Sequence, residues 1–373
     1  DCNTADPNGG GDRESSFQLV NGVSIRGGYA GYGEPDPNVR DIEASETVLS
    51  GDLAGDDGPD FLNNDENSYH VVTCANTDET TVLDGVTITG GHADGGDEYS
   101  KGGGMYNGHG SPTLVDCVFR GNIATGEWCG GGGMYSGDGG PTLNNCVFRG
   151  NIATGERCMG GGMYNGDGSP ILNNCIFREN MVTSAYSMGG GMCSYSGSPV
   201  LAKCTFRGNV TERGGEGGGM CCVGAMGGCD SPRLTNCLFA GNSSDSRGGG
   251  LSNYSLNMTL DNCIFIGNSS GSTGGGLHNQ RWNGYVTLTN CMFIGNIAQG
   301  RNGGGMFSEH TLQIVTNCTF SRNSAGRYGG GIYSVMGNHG DYEEITTLTN
   351  CILRDNSAQE GPEIALYSHE TAI

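Results

Sequence analysis

The segment SPTLVDCVFRGNIATGEWCGGGGMYSGDGGPTLNNCVFRGN, residues 111–151, holds one pattern almost twice. Cys117-Val-Phe119 returns as Cys146-Val-Phe148, with a glycine run ending at Met134 between them. Working outward, the Cys-x-Phe mark stands at Cys117, Cys146, Cys175, Cys204, Cys237, Cys263, Cys291 and Cys318. Cys351 carries it with Leu in place of Phe. A glycine triplet followed by an apolar residue marks Met105, Met134, Met163, Met192, Met220, Leu251, Leu277, Met306 and Ile332. Two independent marks with one period of about 28 residues define nine repeats over 102–356.

No long apolar pattern of period 3.6 occurs, and glycine is everywhere, which excludes helical repeats. Each repeat offers short β-prone pieces separated by Gly, Asn, Asp and Ser. Leu114 and Cys117 are three apart, whereas Cys117 and Phe119 are two apart. Side chains alternate along a strand, so all three point inward only if the chain turns between Leu114 and Cys117. The residue before each Cys sits at that corner: Asp116, Asn145, Asn174, Lys203, Asn236, Asn262, Asn290, Asn317 and Asn350. Asn and Asp accept the left-handed conformation of a sharp corner. Lys203 breaks the series and predicts a locally different turn. Each coil therefore reads as a strand at the Met mark, a strand at Leu, the corner, and a strand at Cys-x-Phe. Stacked coils make an all-β solenoid with three parallel sheets. A second ladder, Asn122, Asn151, Asn180, Asn209, Asn242, Asn268, Asn296, Asn323 and Asn356, is expected to hydrogen-bond along the axis.

Composition limits the alternatives. Glycine supplies 72 of 373 residues, but without a Gly-X-Y period, so collagen is excluded. The 28 aromatic residues and a 16% charged share speak for a folded chain. Net charge is −22, which argues against nucleic acid as a partner. Residues 1–100 hold 21 acids and 3 Arg, net −18, against 19 acids and 15 bases, net −4, in the rest. No run of about 18 apolar residues is present, so no membrane span is expected. The start, DCNTADPNGG, has no apolar signal core, so any export signal is removed or lies outside this sequence. Seventeen Cys favour an oxidising, extracellular setting, and an odd count leaves one free or pairs it between chains.

The pattern N-C-x-F-x-x-N, then a glycine triplet and an apolar residue, resembles the repeats of bacterial polymorphic outer membrane proteins. It is also similar to secreted proteins with a right-handed parallel β-helix of pectate-lyase-like fold. Segments 16–31 (SFQLVNGVSIRGGYAG), 47–58, 67–72 and 82–91 are similar to that set too. The resemblance implies a right-handed parallel β-helix at the bacterial cell surface or outside the cell. Residues 1–101 would be acidic coils with long loops, continuous with the regular repeats of 102–373. Proteins of this kind usually extend beyond segments like 16–31 and 361–368, so if this sequence is the whole mature chain, both solenoid ends are expected to be open.

Enzymes resembling this fold hold Ca²⁺ with acidic side chains, which makes the acidic groups of this chain the first candidates. Asp52, Asp56, Asp57 and Asp60, with Asp65 and Glu66 nearby, form a loop that can wrap Ca²⁺, a cation that takes several oxygen ligands. His92, Asp94, Asp97, Glu98 and Lys101 mix ligand and base types. His109, Asp138 and Asp167 share one place in successive repeats, and Glu127 and Glu156 are expected to pair with Arg157. Arg120, Arg149, Arg178 and Arg207 form an outward row, suited to an acidic glycan or to a partner's carboxylates. Tyr106, Tyr135 and Tyr164 form an aromatic row that stacks sugars or stabilises the sheet. The nine ladder Cys read as buried thiols. Disulfide candidates are Cys129 with Cys158, Cys193 with Cys221, Cys222 with Cys229, and Cys2 with Cys74. Of six glycosylation sequons, Asn253 and Asn257 fall outside the Asn ladder and corner positions. Three insertions leave one side of the solenoid and carry Arg281, Trp282, His339, Asp341, Tyr342, Glu343 and Glu344, with Trp282 and Tyr342 as binding candidates.

The expectation is a non-enzymatic structural or adhesive solenoid, with copies of the chain stacking axially into a filament. The alternatives are a Ca²⁺-dependent polysaccharide lyase or hydrolase, and a module that binds cell-surface or matrix polysaccharide.

Overall fold

A computed structural model describes residues 11–224, 231–255, 257–336, 338–339, 342–343 and 346–368. The chain winds as a right-handed parallel β-solenoid. One coil shows the unit: strands Met105–Asn107, Thr113–Val115, Val118–Arg120 and Ile123–Gly126 follow one another. The first two belong to one 21-stranded sheet, the third to an 11-stranded sheet and the fourth to a 9-stranded sheet. Like pairs with like in parallel register, as in Met134 with Met163, Phe119 with Phe148 and Ala124 with Ala153. At Leu277–Thr289 the first two strands merge into one of 13 residues.

The number of sheets agrees with the repeat reading, but their make-up differs. The Met and Leu strands share a sheet, and the third sheet comes from the segment after the Asn ladder. That segment turns one small residue inward per coil, such as Ala124 or Ala153, too faint a pattern to read as a strand.

The corners are as sharp as expected, with φ of 51° at Asp116 and 56° at Asn145. Lys203 does not make a different turn. Its φ is 57°, and its N–H donates to Thr235 O as that of Asn174 does to Ala202 O. The inter-coil ladder sets the corner, and Lys203 takes the left-handed conformation at a cost of about 1 kcal/mol.

The interior is a set of columns. Eight phenylalanines, Phe119 to Phe320, are fully buried, and neighbouring rings stack 4.6–4.8 Å apart. In the Asn ladder, Asn122 Nδ2 donates to Asn151 Oδ1 at 3.0 Å, and the chain of bonds runs on to Asn356. The Cys column is made of thiols. Cys146 Sγ donates to Asn144 O at 3.5 Å, and burial pushes its thiol well up. A thiol-specific reagent is therefore expected to leave the eight buried column cysteines, Cys117 to Cys318, untouched in the native protein. All eight should react in denaturant. Rapid native labelling of these positions, read by peptide mass, would contradict the sealed column.

Candidate functional site

On the outer face of the Met strands, the residue after each Met forms a column. It runs Tyr106, Tyr135, Tyr164, Cys193, Cys221, Ser252, His278, Phe307 and Tyr333, each in register with the next. Beside it runs a ladder of single bridges where the chain enters each coil: Lys101, Gly130, Met159, Met188 and Glu216, then Arg247 and Thr273, then Asn302 and Tyr328. Column and ladder run side by side along the solenoid, as floor and wall of a groove at its two ends, and from Cys193 to Ser252 the column is fully buried.

The groove opens into two clefts. The N-terminal one, about 320 Å³, is bounded by Lys101, Gly130 and Met159 on the wall, Tyr135 and Tyr164 on the floor, and Trp128 with Arg157. Its tyrosine rings, Tyr135 and Tyr164, stack at 5.2 Å, and Tyr106 continues the stack beyond the cleft at 5.3 Å from Tyr135. Lys101 Nζ lies 5.5 Å from the Tyr135 ring, and the Arg157 guanidinium lies 4.6 Å from Trp128 and 5.7 Å from Tyr186. A disulfide between Cys129 and Cys158 ties together the two coils that carry Trp128 and Arg157. Burial raises the phenols of Tyr135 and Tyr164, and that of Tyr106 to about 12 with Glu98 adding to the shift. They stay neutral hydroxyls that both donate and accept.

The C-terminal cleft, about 270 Å³, has Thr273 and Asn302 on its wall and His278, Phe307 and Tyr333 on its floor, with Gln280, Glu309 and Arg301 around them. Between the clefts a polar bar crosses the groove. Tyr254 Oη bonds Glu216, and Arg247 Nη1 donates to Tyr254 Oη at 3.1 Å and to Gln280 Oε1 at 3.3 Å. Gln280 Nε2 donates to Glu309 Oε2 at 2.8 Å. Burial raises the Glu216 carboxyl, while Tyr254 and Arg247 oppose that shift.

His70 extends the tyrosine stack, 5.1 Å from Tyr106, with Nδ1 against Gly102 O at 3.1 Å. Burial pushes its pKa down to about 4, against a smaller opposing effect of that hydrogen bond. The native state holds His70 neutral while the unfolded chain takes up a proton near pH 6.5. Its contribution is thus complete above pH 6.5 and is lost as pH falls toward 4, by about 3 kcal/mol. Urea titrations between pH 7 and 4 should show this slope, and His70→Phe should flatten it. An equal slope in the variant would place the acid sensitivity elsewhere.

The family described as "Right handed beta helix region" matches residues 70–293, or 224 of the 373 residues. The chain belongs to the right-handed β-helix family. The repeat of the Chlamydia polymorphic membrane protein family matches residues 317–335. No curated protein and no solved structure matches the chain. Among the described residues, no helix is long and apolar enough to cross a membrane.

Within this β-helix the Arg and Tyr rows do not meet. Arg120, Arg149, Arg178 and Arg207 lie on the Cys-x-Phe sheet, where Arg120 pairs with Glu46 at 3.2 Å and Arg149 with Glu179 at 3.3 Å. The tyrosines meet Lys101 and Arg157 instead. Arg157 stacks on Trp128 and Tyr186 rather than pairing with Glu127 or Glu156. His92 Nδ1 bonds Asn64 O and Asp94 pairs with Arg13 at 2.6 Å, both tying loops together. His109 contacts Asp138 at 3.1 Å on the exposed surface.

In the acidic loop, Asp52, Asp56 and Glu66 bring ligand oxygens within 4.8 Å of one another, and Glu66 Oε1 is buried without a hydrogen-bond partner. Burial raises the Glu66 carboxyl. This donor set fits a hard cation such as Ca²⁺. Asp57 turns instead to Asn67 Nδ2 at 2.9 Å, and the side chain of Asp60 lies outside the described residues.

Cys193 and Cys221 are stacked thiols, not a disulfide. Cys193 and Cys221 sit inside paired strands, whereas Cys129 and Cys158 lie just before the single bridge of Gly130 with Met159. Cys74 is also a thiol, 2.7 Å from Thr77 Oγ1, and Cys2 lies outside the described residues, as does Cys229, the proposed partner of Cys222. Asn253 is no glycosylation site: it is buried and donates to Asn279 Oδ1 at 2.6 Å. The side chains of Arg281, Trp282, His339, Tyr342 and Glu343, together with Asp341 and Glu344, lie outside the described residues.

Trp128 as a site residue and the bar through Tyr254 were not foreseen from the sequence. A signal for the first existed. Trp128 and Arg157 each precede one member of the matched pair Cys129 and Cys158, so they stack in adjacent coils.

Proposed function

We propose that this β-helix is a cell-surface, non-enzymatic adhesive protein whose groove binds an extended polysaccharide carrying acidic units. One observation carries the reading. The N-terminal cleft combines stacked tyrosines, the exposed Trp128 and the cations Lys101 and Arg157. Aromatic surface takes the apolar face of a sugar, and the cations take carboxylates. The polymorphic membrane protein repeat supports the surface location.

Calorimetry with size-defined hyaluronan and polymannuronate fragments tests the reading. Trp128→Ala should weaken binding about tenfold, a loss in the range of a buried aromatic contact. Arg149→Ala, on the other sheet, should leave binding unchanged. Equal losses in both variants, or release of reducing or unsaturated ends, would sink it. Two further parts stand apart from the groove: Ca²⁺ on Asp52, Asp56 and Glu66, and axial association of copies. Calcium titration and electron microscopy of the purified protein test these separately.

A further inference from the structure

The C-terminal cleft has a property its neighbour lacks. Thr273 and Asn302 line the cleft, and their Oγ1 and Oδ1 atoms lie buried behind its surface without a hydrogen-bond partner. Thr273 is only 6% exposed. An orphaned buried polar atom costs about 1–3 kcal/mol, so two on adjacent rungs of one wall call for a ligand that satisfies them. The groups around them define its chemistry. Gln280 and Asn302 offer amides, Ser272 and Thr273 hydroxyls, Glu309 an acceptor, and Arg301 and Arg247 guanidinium groups. Phe307 and Tyr333 supply the floor. Alternating donors and acceptors over an aromatic floor suit a polyol ring, and the exposed Arg301 suits its carboxylate.

The two clefts share one floor column and lie along one wall ladder. From Tyr164 to Phe307 the register passes through Cys193, Cys221, Ser252 and His278, five steps in all. Five strand spacings are about 24 Å. The bar between the clefts is polar, and three of its members, Arg247, Gln280 and Glu309, line the C-terminal cleft themselves. A chain crossing it meets hydrogen-bonding groups throughout.

We propose that the C-terminal cleft is a second saccharide subsite, and that one linear acidic glycan of at least about six sugar residues occupies both clefts across the bar. This rests on the groove reading above. The second cleft then acts as a length sensor. Short fragments reach one cleft only, and long ones gain the second contact intramolecularly.

The test is calorimetry on the full chain with hyaluronan and polymannuronate fragments of two to twelve residues. Wild type should show a step in affinity, about 100-fold or more, once the fragment spans both clefts. Thr273→Val and Arg301→Ala should each reduce that step while short fragments bind as before. Thr273→Val removes an orphaned hydroxyl, so folding should be unharmed or improved. Affinity that does not step with length, or a step that survives both variants, overturns the two-cleft proposal. In that case short-fragment binding that Trp128→Ala weakens about tenfold would leave the groove reading standing. If no fragment of any length binds, both readings fail together.

Discussion

Replacing Asn180 with alanine is expected to cost about 5 kcal/mol, among the largest effects a single side chain can have here. The residue is fully buried and engaged on every side. Its Oδ1 accepts from the Asn151 N–H and from Asn151 Nδ2, both at 3.0 Å. Its Nδ2 donates to Phe148 O at 2.9 Å and to Asn209 Oδ1 at 3.0 Å. Alanine leaves the Asn151 N–H without its partner, halves the bonds of Asn151 Nδ2 and Asn209 Oδ1, and takes a donor from Phe148 O, in a cavity lined by neighbouring coils. Asn180→Asp does no better, because its carboxylate cannot donate to Asn209 Oδ1. A solenoid is held by nearest-neighbour contacts, so the damage should stay local. Hydrogen exchange should rise over residues 147–183 and fall off with distance along the axis. Asn173→Ala is the control. Asn173 sits on the outer face with a single amide bond to Asn144 Oδ1 at 3.0 Å, and its loss should cost under about 1 kcal/mol. Equal costs for the two would refute the argument that burial makes the inner ladder matter.

The same contrast explains what the sequence could reveal. Inner columns were legible because every coil repeats the demand: the Phe, Cys and Asn columns each recur at one position in the period. The corners were legible for the same reason, and Lys203 shows that the ladder, not the residue, imposes the turn. The third sheet was hidden because its inward residues are small and varied, running Ala124, Ala153, Val182 and then Thr211. The groove was hidden for another reason. Its floor column changes chemistry from Tyr to Cys to Ser to His to Phe, so no residue type marks it. The bar joins Glu216, Arg247, Tyr254, Gln280 and Glu309, drawn from coils of unequal length. Only the folded chain brings them together. The rows that did look like sites, Arg120 to Arg207 and Tyr106 to Tyr164, were each real columns but lie on different sheets.

Gly161→Ala is expected to break the coil that carries the N-terminal cleft. A Cβ there would lie 2.4 Å from Met181 O and 2.6 Å from Gly190 O. Both are backbone atoms held in inter-coil ladders, so no rotamer change relieves the clash. The second glycine of the triplet therefore exists for close approach. Gly132, its equivalent one coil earlier, would meet Ile152 O at 2.2 Å and Gly161 O at 2.7 Å. Separating the coils far enough to admit a methyl group breaks the hydrogen bonds on both sides, a cost of about 4 kcal/mol or more. Gly150 provides the comparison. It has φ of +59°, but a Cβ there meets nothing within 4 Å, so alanine should cost only about 1–2 kcal/mol of backbone energy. Chemical denaturation of the two variants, with limited proteolysis to locate the opened coil, measures the difference. Cleavage should appear near residues 159–164 in Gly161→Ala alone. Met159 and Tyr164 flank that glycine on the wall and floor of the cleft, so the variant should also lose the glycan fragments that Gly150→Ala still binds. Comparable stability in the two variants would mean the coils can separate at the triplet. Wall and floor would then be joined less rigidly than these backbone contacts require.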